Sequence, residues 1–143
     1  MRKGKALIAT EAEKYDLDTE MLERYADTLK GTQDMSYETA AAIAISSAKI
    51  SKGVDKLRGA LEDSIDTLKN YDVSSYEFAE AAAEVGEALE LMFGAEVSNN
   101  KIKEWAESGD LEKLSNGGQE ALDTFEKLRL EVGKDYVASL HFD

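Results

Sequence analysis

Residues 37–69 read YETAAAIAISSAKISKGVDKLRGALEDSIDTLK, and this stretch decides the fold. Within it Ile43, Ser47, Ile50, Val54, Leu57, Leu61, Ser64 and Leu68 recur at alternating intervals of four and three. That spacing is a heptad seam, narrower than the apolar face of an ordinary globular helix. Ser36 stands before it as a cap. At ~1.5 Å per residue the segment makes a rod of roughly 50 Å. Gly53 and Gly59 each cost about 1 kcal/mol against Ala in a helix interior. Gly59 lies opposite the seam, where packing does not explain it, and a bend is expected near Gly53. Ala40 to Ala48 is small and apolar on several sides and should be the most buried part of the rod.

Working outward, Asn70-Tyr71-Asp72-Val73 is a short connection, so the next helix returns antiparallel. Ser74 and Glu77 have the spacing of a capping box. A second seam follows at Phe78, Ala82, Val85, Leu89 and Met92, and Gly94 stops it. This helix matches only the second half of the rod, which leaves the first half to two earlier helices. One covers about 3–15, with Leu7, Ile8, Ala12 and Tyr15 on a face. The other starts at Asp18 or Thr19, carries Leu22, Tyr25, Ala26 and Leu29 inward, and ends at Gly31. Downstream, Ser98 opens a short helix with Ile102, Trp105 and Ala106. Ser108-Gly109-Asp110 turns the chain, and Leu111 and Leu114 form one helical turn. Asn116-Gly117-Gly118-Gln119 then opens a helix with Leu122, Phe125, Leu128 and Val132 inward.

After Gly133, Tyr136, Ala138, Leu140 and Phe142 alternate with Val137, Ser139 and His141, the period of a strand. An unstructured tail, pairing with another chain and the start of a missing region all fit; the third is the expectation. The predicted fold is all-α: a multi-helix bundle with a long central helix paired antiparallel to a shorter one and short helices flanking. Its parts are an N-terminal helical hairpin over 1–35, the long-helix hairpin over 36–95, and short helices with an extended tail over 96–143. Together they are expected to form one folded domain, a fragment of a longer protein.

Composition narrows the chemistry. The 143 residues contain no cysteine, which removes disulfides, thiolate nucleophiles and cysteine-based metal sites, and no proline, which favours uninterrupted helices. The net charge of −13 is unevenly placed: residues 1–60 hold ten basic and ten acidic side chains, residues 61–143 seven and twenty. A pI near 4.5 argues against phosphate-backbone binding to nucleic acid and against anionic membranes. The longest apolar run, Ala40 to Ile45, falls far short of the ~20 residues that span a bilayer. Met1-Arg2-Lys3-Gly4-Lys5 resembles the start of a signal peptide, but only Ala6 to Ala9 follow before Thr10 and Glu11.

One constellation stands out. Glu77, Glu80, Glu84, Glu87 and Glu90 recur at helical spacing opposite Phe78, Val85 and Leu89, and no basic residue occurs between Tyr71 and Asn100. The face could take divalent cations, mimic DNA or simply be solvated, and solvation is the simplest reading. Helical di-metal sites use inward carboxylates and a Glu-x-x-His pair, both missing here. Asp16, Asp18 and Glu20 imitate a calcium loop, but Met21 stands where Gly is required and Asp27 where a bidentate Glu is required. Helix capping accounts for them. His141 has no nucleophile partner in a motif. Asn116-Gly117-Gly118 lacks a P-loop's lysine and preceding strand and reads as a turn. Trp105 and Tyr76 read as core or groove anchors. No catalytic, cofactor-binding or metal site is expected, and no enzyme.

Several segments in order carry a family resemblance: YDLD (15–18) into LERYA (22–26); AAIAISSAKISKGVDKL (41–57); SYEFA (75–79) running to MFGAEVS (92–98); and GDLEKLSNGGQEALDTFEKL (109–128). Together they resemble a helical region of tape-measure proteins of long-tailed bacteriophages and related prophages. The shared features are a small-residue helix ending in Lys52-Gly53-Val54-Asp55-Lys56-Leu57 and a later glycine step opening an Ala-Leu helix at Gly118 to Leu122. Ser46 and Ser47 depart from the pattern, where a larger polar residue such as Asn is expected. The resemblance implies a structural segment that occupies the tail tube, sets its length during assembly and leaves on DNA ejection. Tail-tube, chaperone and tail-tip proteins would be its partners. Its location would be the bacterial cytoplasm during assembly and the tail lumen in the virion. The alternative from the residues themselves is a stand-alone acidic helical binding protein, of DNA-mimic or adaptor type, presenting Glu77–Glu90 to a basic partner. Self-association through the heptad seams is a further expectation.

Overall fold

A computed structural model describes the backbone of residues 2–142 and the side chains of residues 2–133. The described residues form seven helices and no strand: α1 (Arg2–Tyr15), α2 (Thr19–Gln33), α3 (Tyr37–Asn70), α4 (Tyr76–Phe93), α5 (Asn99–Ser108), α6 (Asp110–Asn116) and α7 (Gly118–Phe142). Packing divides the chain into two compact units, 1–51 and 52–143, with the boundary inside α3. The sequence patterns divide it instead at 35/36 and 95/96.

In the first unit α1 ends at Asp16, whose φ of 55° is left-handed, and the Leu17 N–H donates to the Ala12 carbonyl at 2.9 Å. This is the usual helix stop with aspartate in place of glycine. The Asp18 carboxylate accepts from the Met21 N–H at 3.2 Å and caps α2. Gly31 does not end α2, which continues to Gln33 and stops at left-handed Asp34. Ile8, Ala12, Leu22 and Ala26 meet Tyr37, Ala40, Ala41, Ala44 and Ile45 in one buried cluster. The first half of α3 therefore packs on α1 and α2, but not along the predicted seam. Ile43 is 38% exposed and Ser47 is exposed, while alanines on neighbouring turns line the buried stripe. Ala40, Ala41 and Ala44 let α1 and α2 approach this face closely, and Tyr37 and Ile45 fill the space beside them, whereas Ser47 would bring a hydroxyl into the contact. Leu7 and Tyr25 also lie outside the core, on the exposed shoulders of their helices.

Tyr37 closes the cluster. Its ring lies against Gly4 so tightly that a Cβ there would collide with it, and its hydroxyl is buried without a partner. Burial raises the Tyr37 pKa above the ordinary 10.0, and the charges of Asp27 and Glu23 raise it further.

In the second unit the latter half of α3 and α4 pair antiparallel, as expected. Leu57, Leu61, Ser64 and Leu68 on one helix and Phe78, Ala82, Val85, Leu89 and Met92 on the other are all buried. Gly53 sits at the contact with the end of α4: a Cβ there would stand 3.0 Å from the Ala88 carbonyl oxygen and collide with the Met92 side chain. Its role in the packing is close approach. Gly59 faces open space. The cap of α4 is Ser75, whose Oγ accepts from the Phe78 N–H at 3.1 Å. The capping box expected at Ser74 and Glu77 does not form, because Asp72 accepts from both the Ser74 N–H (2.9 Å) and its hydroxyl (3.0 Å).

Helices α5, α6 and α7 complete this unit around buried Trp105, Leu111, Leu114, Phe125 and Leu128. The Trp105 indole N–H donates to Glu131 at 3.1 Å, and Phe93 stacks on Phe125 with centroids 4.9 Å apart. The Arg58 Nε–H donates to the Ser115 carbonyl at 2.9 Å, tying α3 to α6. On α7, Leu122 is 58% exposed, and Ala121 and Thr124 are buried in its place. The backbone stays helical through Phe142, so the extended tail expected after Gly133 is not formed. A helix satisfies its backbone groups internally, whereas a solitary strand leaves them unpaired. Val132, Tyr136 and Leu140 also keep helical four-residue spacing. The side chains from 134 onward lie outside the described residues, and with them the strand-pairing and missing-region readings.

Two glycines of α3 should respond oppositely to alanine. In urea unfolding, Gly53→Ala is expected to lose about 1–3 kcal/mol through overpacking, while Gly59→Ala gains about 0.5–1 kcal/mol from helix propensity. Equal shifts would contradict the close approach. Tyr37 should make stability fall at high pH. Its proton is held more tightly in the folded chain, so stabilisation complete below pH ~10 is lost as pH rises through the elevated folded pKa. Tyr37→Phe is expected to leave stability at pH 7 within about 1 kcal/mol of wild type, since the lost hydroxyl has no partner, and to flatten the alkaline limb. Unfolding followed from pH 7 to 11 measures both.

Candidate functional site: the acidic face of α4

Ser75 starts α4 and left-handed Gly94 (φ 71°) ends it, its N–H donating to the Glu90 carbonyl at 2.8 Å. Between these caps the apolar seam fixes the rotation of the helix about its axis. With Phe78, Ala82, Val85, Leu89 and Met92 buried, Glu77, Glu80, Glu84, Glu87 and Glu90 are all exposed. The structure thus presents all five predicted carboxylates, and it adds one. Asp63 of α3, with Ser64 and Thr67, lines a surface groove of about 430 Å³ together with Glu77, Glu80 and Glu84. Glu87 and Glu90 lie beyond that groove. Asp63 was missed because its neighbour Ser64 carries the seam. Only the antiparallel register places Asp63 beside α4.

This face works against its own helix. Glu77–Glu80, Glu80–Glu84, Glu84–Glu87 and Glu87–Glu90 are like-charge pairs at three or four residues, each destabilising by roughly 0.2–0.5 kcal/mol. Glu77 in the first turn favours the helix dipole; Glu90 at the other end opposes it, and the last turn has no basic residue. None of the five has an ion-pair partner among the described residues.

The remaining candidates resolve into structural roles. Asp16 and Asp18 stop and cap helices, and Glu20 is an exposed first-turn residue of α2. Gly117 (φ 76°, ψ −173°) and Gly118 (φ 73°) make the turn between α6 and α7, a conformation open to glycine alone at Gly117. Trp105 is a core residue at 1% exposure, whereas Tyr76 is 77% exposed and lies outside the core. The side chain of His141 lies outside the described residues. Among the described residues no group of three or more His, Cys, Asp or Glu is placed to hold a metal ion. No helix among them is long and apolar enough to cross a membrane. Compared with known proteins, the chain matches no family model, no curated protein and no solved structure.

Glu84 belongs to two of the repulsive pairs. Glu84→Gln is expected to raise stability by about 0.4–1 kcal/mol in 10 mM salt and by much less in 0.5 M salt, where the repulsion is screened. Thermal unfolding at the two salt concentrations checks this.

Proposed function

We propose that this chain is a non-catalytic structural segment of a phage or prophage tail tape-measure protein. The resemblance of the ordered sequence patterns from Tyr15 to Leu128 is what suggests this family. The structural observation that supports it is α3, 34 continuous helical residues that contribute to both compact units. A long helix of this kind, with small residues buried in its first half and leucines in its second, suits a protein whose work is to occupy length. In this reading the segment acts with tail-tube, chaperone and tail-tip proteins, first in the bacterial cytoplasm and then in the tail lumen. The reading frame that encodes the segment tests it. A long frame flanked by tail-tube and tail-tip genes is expected, and a frame ending at Asp143 without tail genes beside it would overturn the proposal.

One observation favours a second reading. The α4 face is destabilising to its own helix and joins Asp63 in an open acidic groove. Features retained at a cost to stability often serve binding. The chain would then be an acidic binding module for a basic partner, of DNA-mimic or adaptor type. A lysine-rich helical peptide should bind with an affinity that falls steeply between 50 and 200 mM salt and falls again in the Glu80→Gln/Glu84→Gln double variant. Equal binding by that variant would remove this reading and leave the first untouched.

A further inference from the structure

The last carbonyls of a helix have no intrahelical donors, and at the end of α3 they meet an unusual one. The Lys103 ammonium, reaching from α5, donates to the carbonyl oxygens of Leu68 (3.3 Å), Lys69 (3.3 Å) and Tyr71 (2.7 Å). It also lies 5.7 Å from the centroid of the Phe78 ring, on the first turn of α4. Next to these oxygens stands the Asp72 carboxyl. Its pKa is held below the usual range by the Ser74 backbone and side-chain hydrogen bonds, with a smaller contribution from the Lys103 charge. Three converging carbonyls, a helix C-terminus, an aromatic face and a carboxylate are what a small cation seeks in place of its hydration shell.

We infer that the C-terminal end of α3 is a cation cage which Lys103 fills from within the chain, and that this ammonium clasps α5 to the α3–α4 turn. The inference rests on neither functional reading above. An ammonium with three N–H groups matches three acceptors, which neither a planar guanidinium nor a neutral side chain does. Beside the clasp is a surface pocket lined by Val73, Asn100, Lys103, Glu104, Glu107 and Ser108. Glu107 and Glu104, the latter 3.5 Å from the Lys101 ammonium, make its rim acidic. The ligand class that the emptied cage would take is therefore a primary alkylammonium ion. Neutralising Lys103, by substitution or by acylation of its amine, opens the joint between the α3–α4 hairpin and α5.

The test uses the full chain and hydrogen exchange of the α5 amides. Lys103→Ala removes the stem and charge while keeping helix propensity. Exchange in residues 99–108 is expected to accelerate by about tenfold or more. Propylammonium chloride, which replaces the missing atoms, should restore most of the protection. Tetramethylammonium chloride at the same ionic strength should not, since it carries no N–H, and sodium chloride, which can coordinate carbonyls but cannot fill the space of the lost stem, should restore less than propylammonium. Lys103→Met keeps the stem against Phe78 without the charge; it should lose the same protection and be insensitive to propylammonium. Wild-type protection in Lys103→Met would assign the effect to stem packing and overturn the clasp. So would equal rescue of Lys103→Ala by all three salts, which is screening alone.

Discussion

The α3–α4 pair closes over Gly53, where the backbone of one helix comes within a Cβ's reach of the Ala88 carbonyl and the Met92 side chain of the other. That approach sets the register of the pair. With Gly53 opposite the end of α4, Leu57, Leu61, Ser64 and Leu68 fall against Met92, Leu89, Val85, Ala82 and Phe78 in antiparallel order. The register also decides what is left outside. Turning the seam of α4 inward turns its glutamates outward and brings Asp63 alongside Glu77, Glu80 and Glu84. The acidic groove thus follows from the same apolar packing that forms the core.

Electrostatics in this unit are arranged by element. α4 carries five exposed carboxylates and no cation, whereas four basic residues elsewhere in the unit are committed to structure. Lys103 holds the end of α3, Lys69 pairs with Glu112 at 2.8 Å, Arg58 donates to Ser115, and Lys127 lies 3.3 Å from Asp110. Asp110 has a side chain only 7% exposed, so its interaction with Lys127 is less screened than the surface pairs. The unit uses cations to fasten helix ends and turns, and among the described residues none pairs with the glutamates on the outer face of α4.

Much of this was legible in the residues. Ser36, Asp18, Ser98, Gly94 and Gly109 mark helix ends through chemistry local to a few residues, and the spacing of α4 and of the second half of α3 matches the buried seams. Sequence pattern and structure diverge where two local solutions compete. Ser74 has the spacing of a cap, but Asp72 captures it and Ser75 takes the role. Gly31 reads as a stop, yet nothing opposes the helix until Asp34. The alternation after Gly133 also satisfies helical spacing, and the helix prevails because it needs no partner. For the candidate face, the five glutamates of α4 were visible from spacing alone, whereas Asp63 required knowledge of which residues of α3 lie beside them.

By itself, the sequence determined that this chain is helical, where most helices start and stop, and that the carboxylates of α4 share one face. These follow from hydrogen bonds and periodicities within a turn or two of chain. Only the tertiary structure decided which stripe of α3 is buried in its first half, why Gly53 is a glycine, and which carbonyls Lys103 serves. Those depend on contacts between residues tens of positions apart, where the deciding quantity is the room between two packed helices.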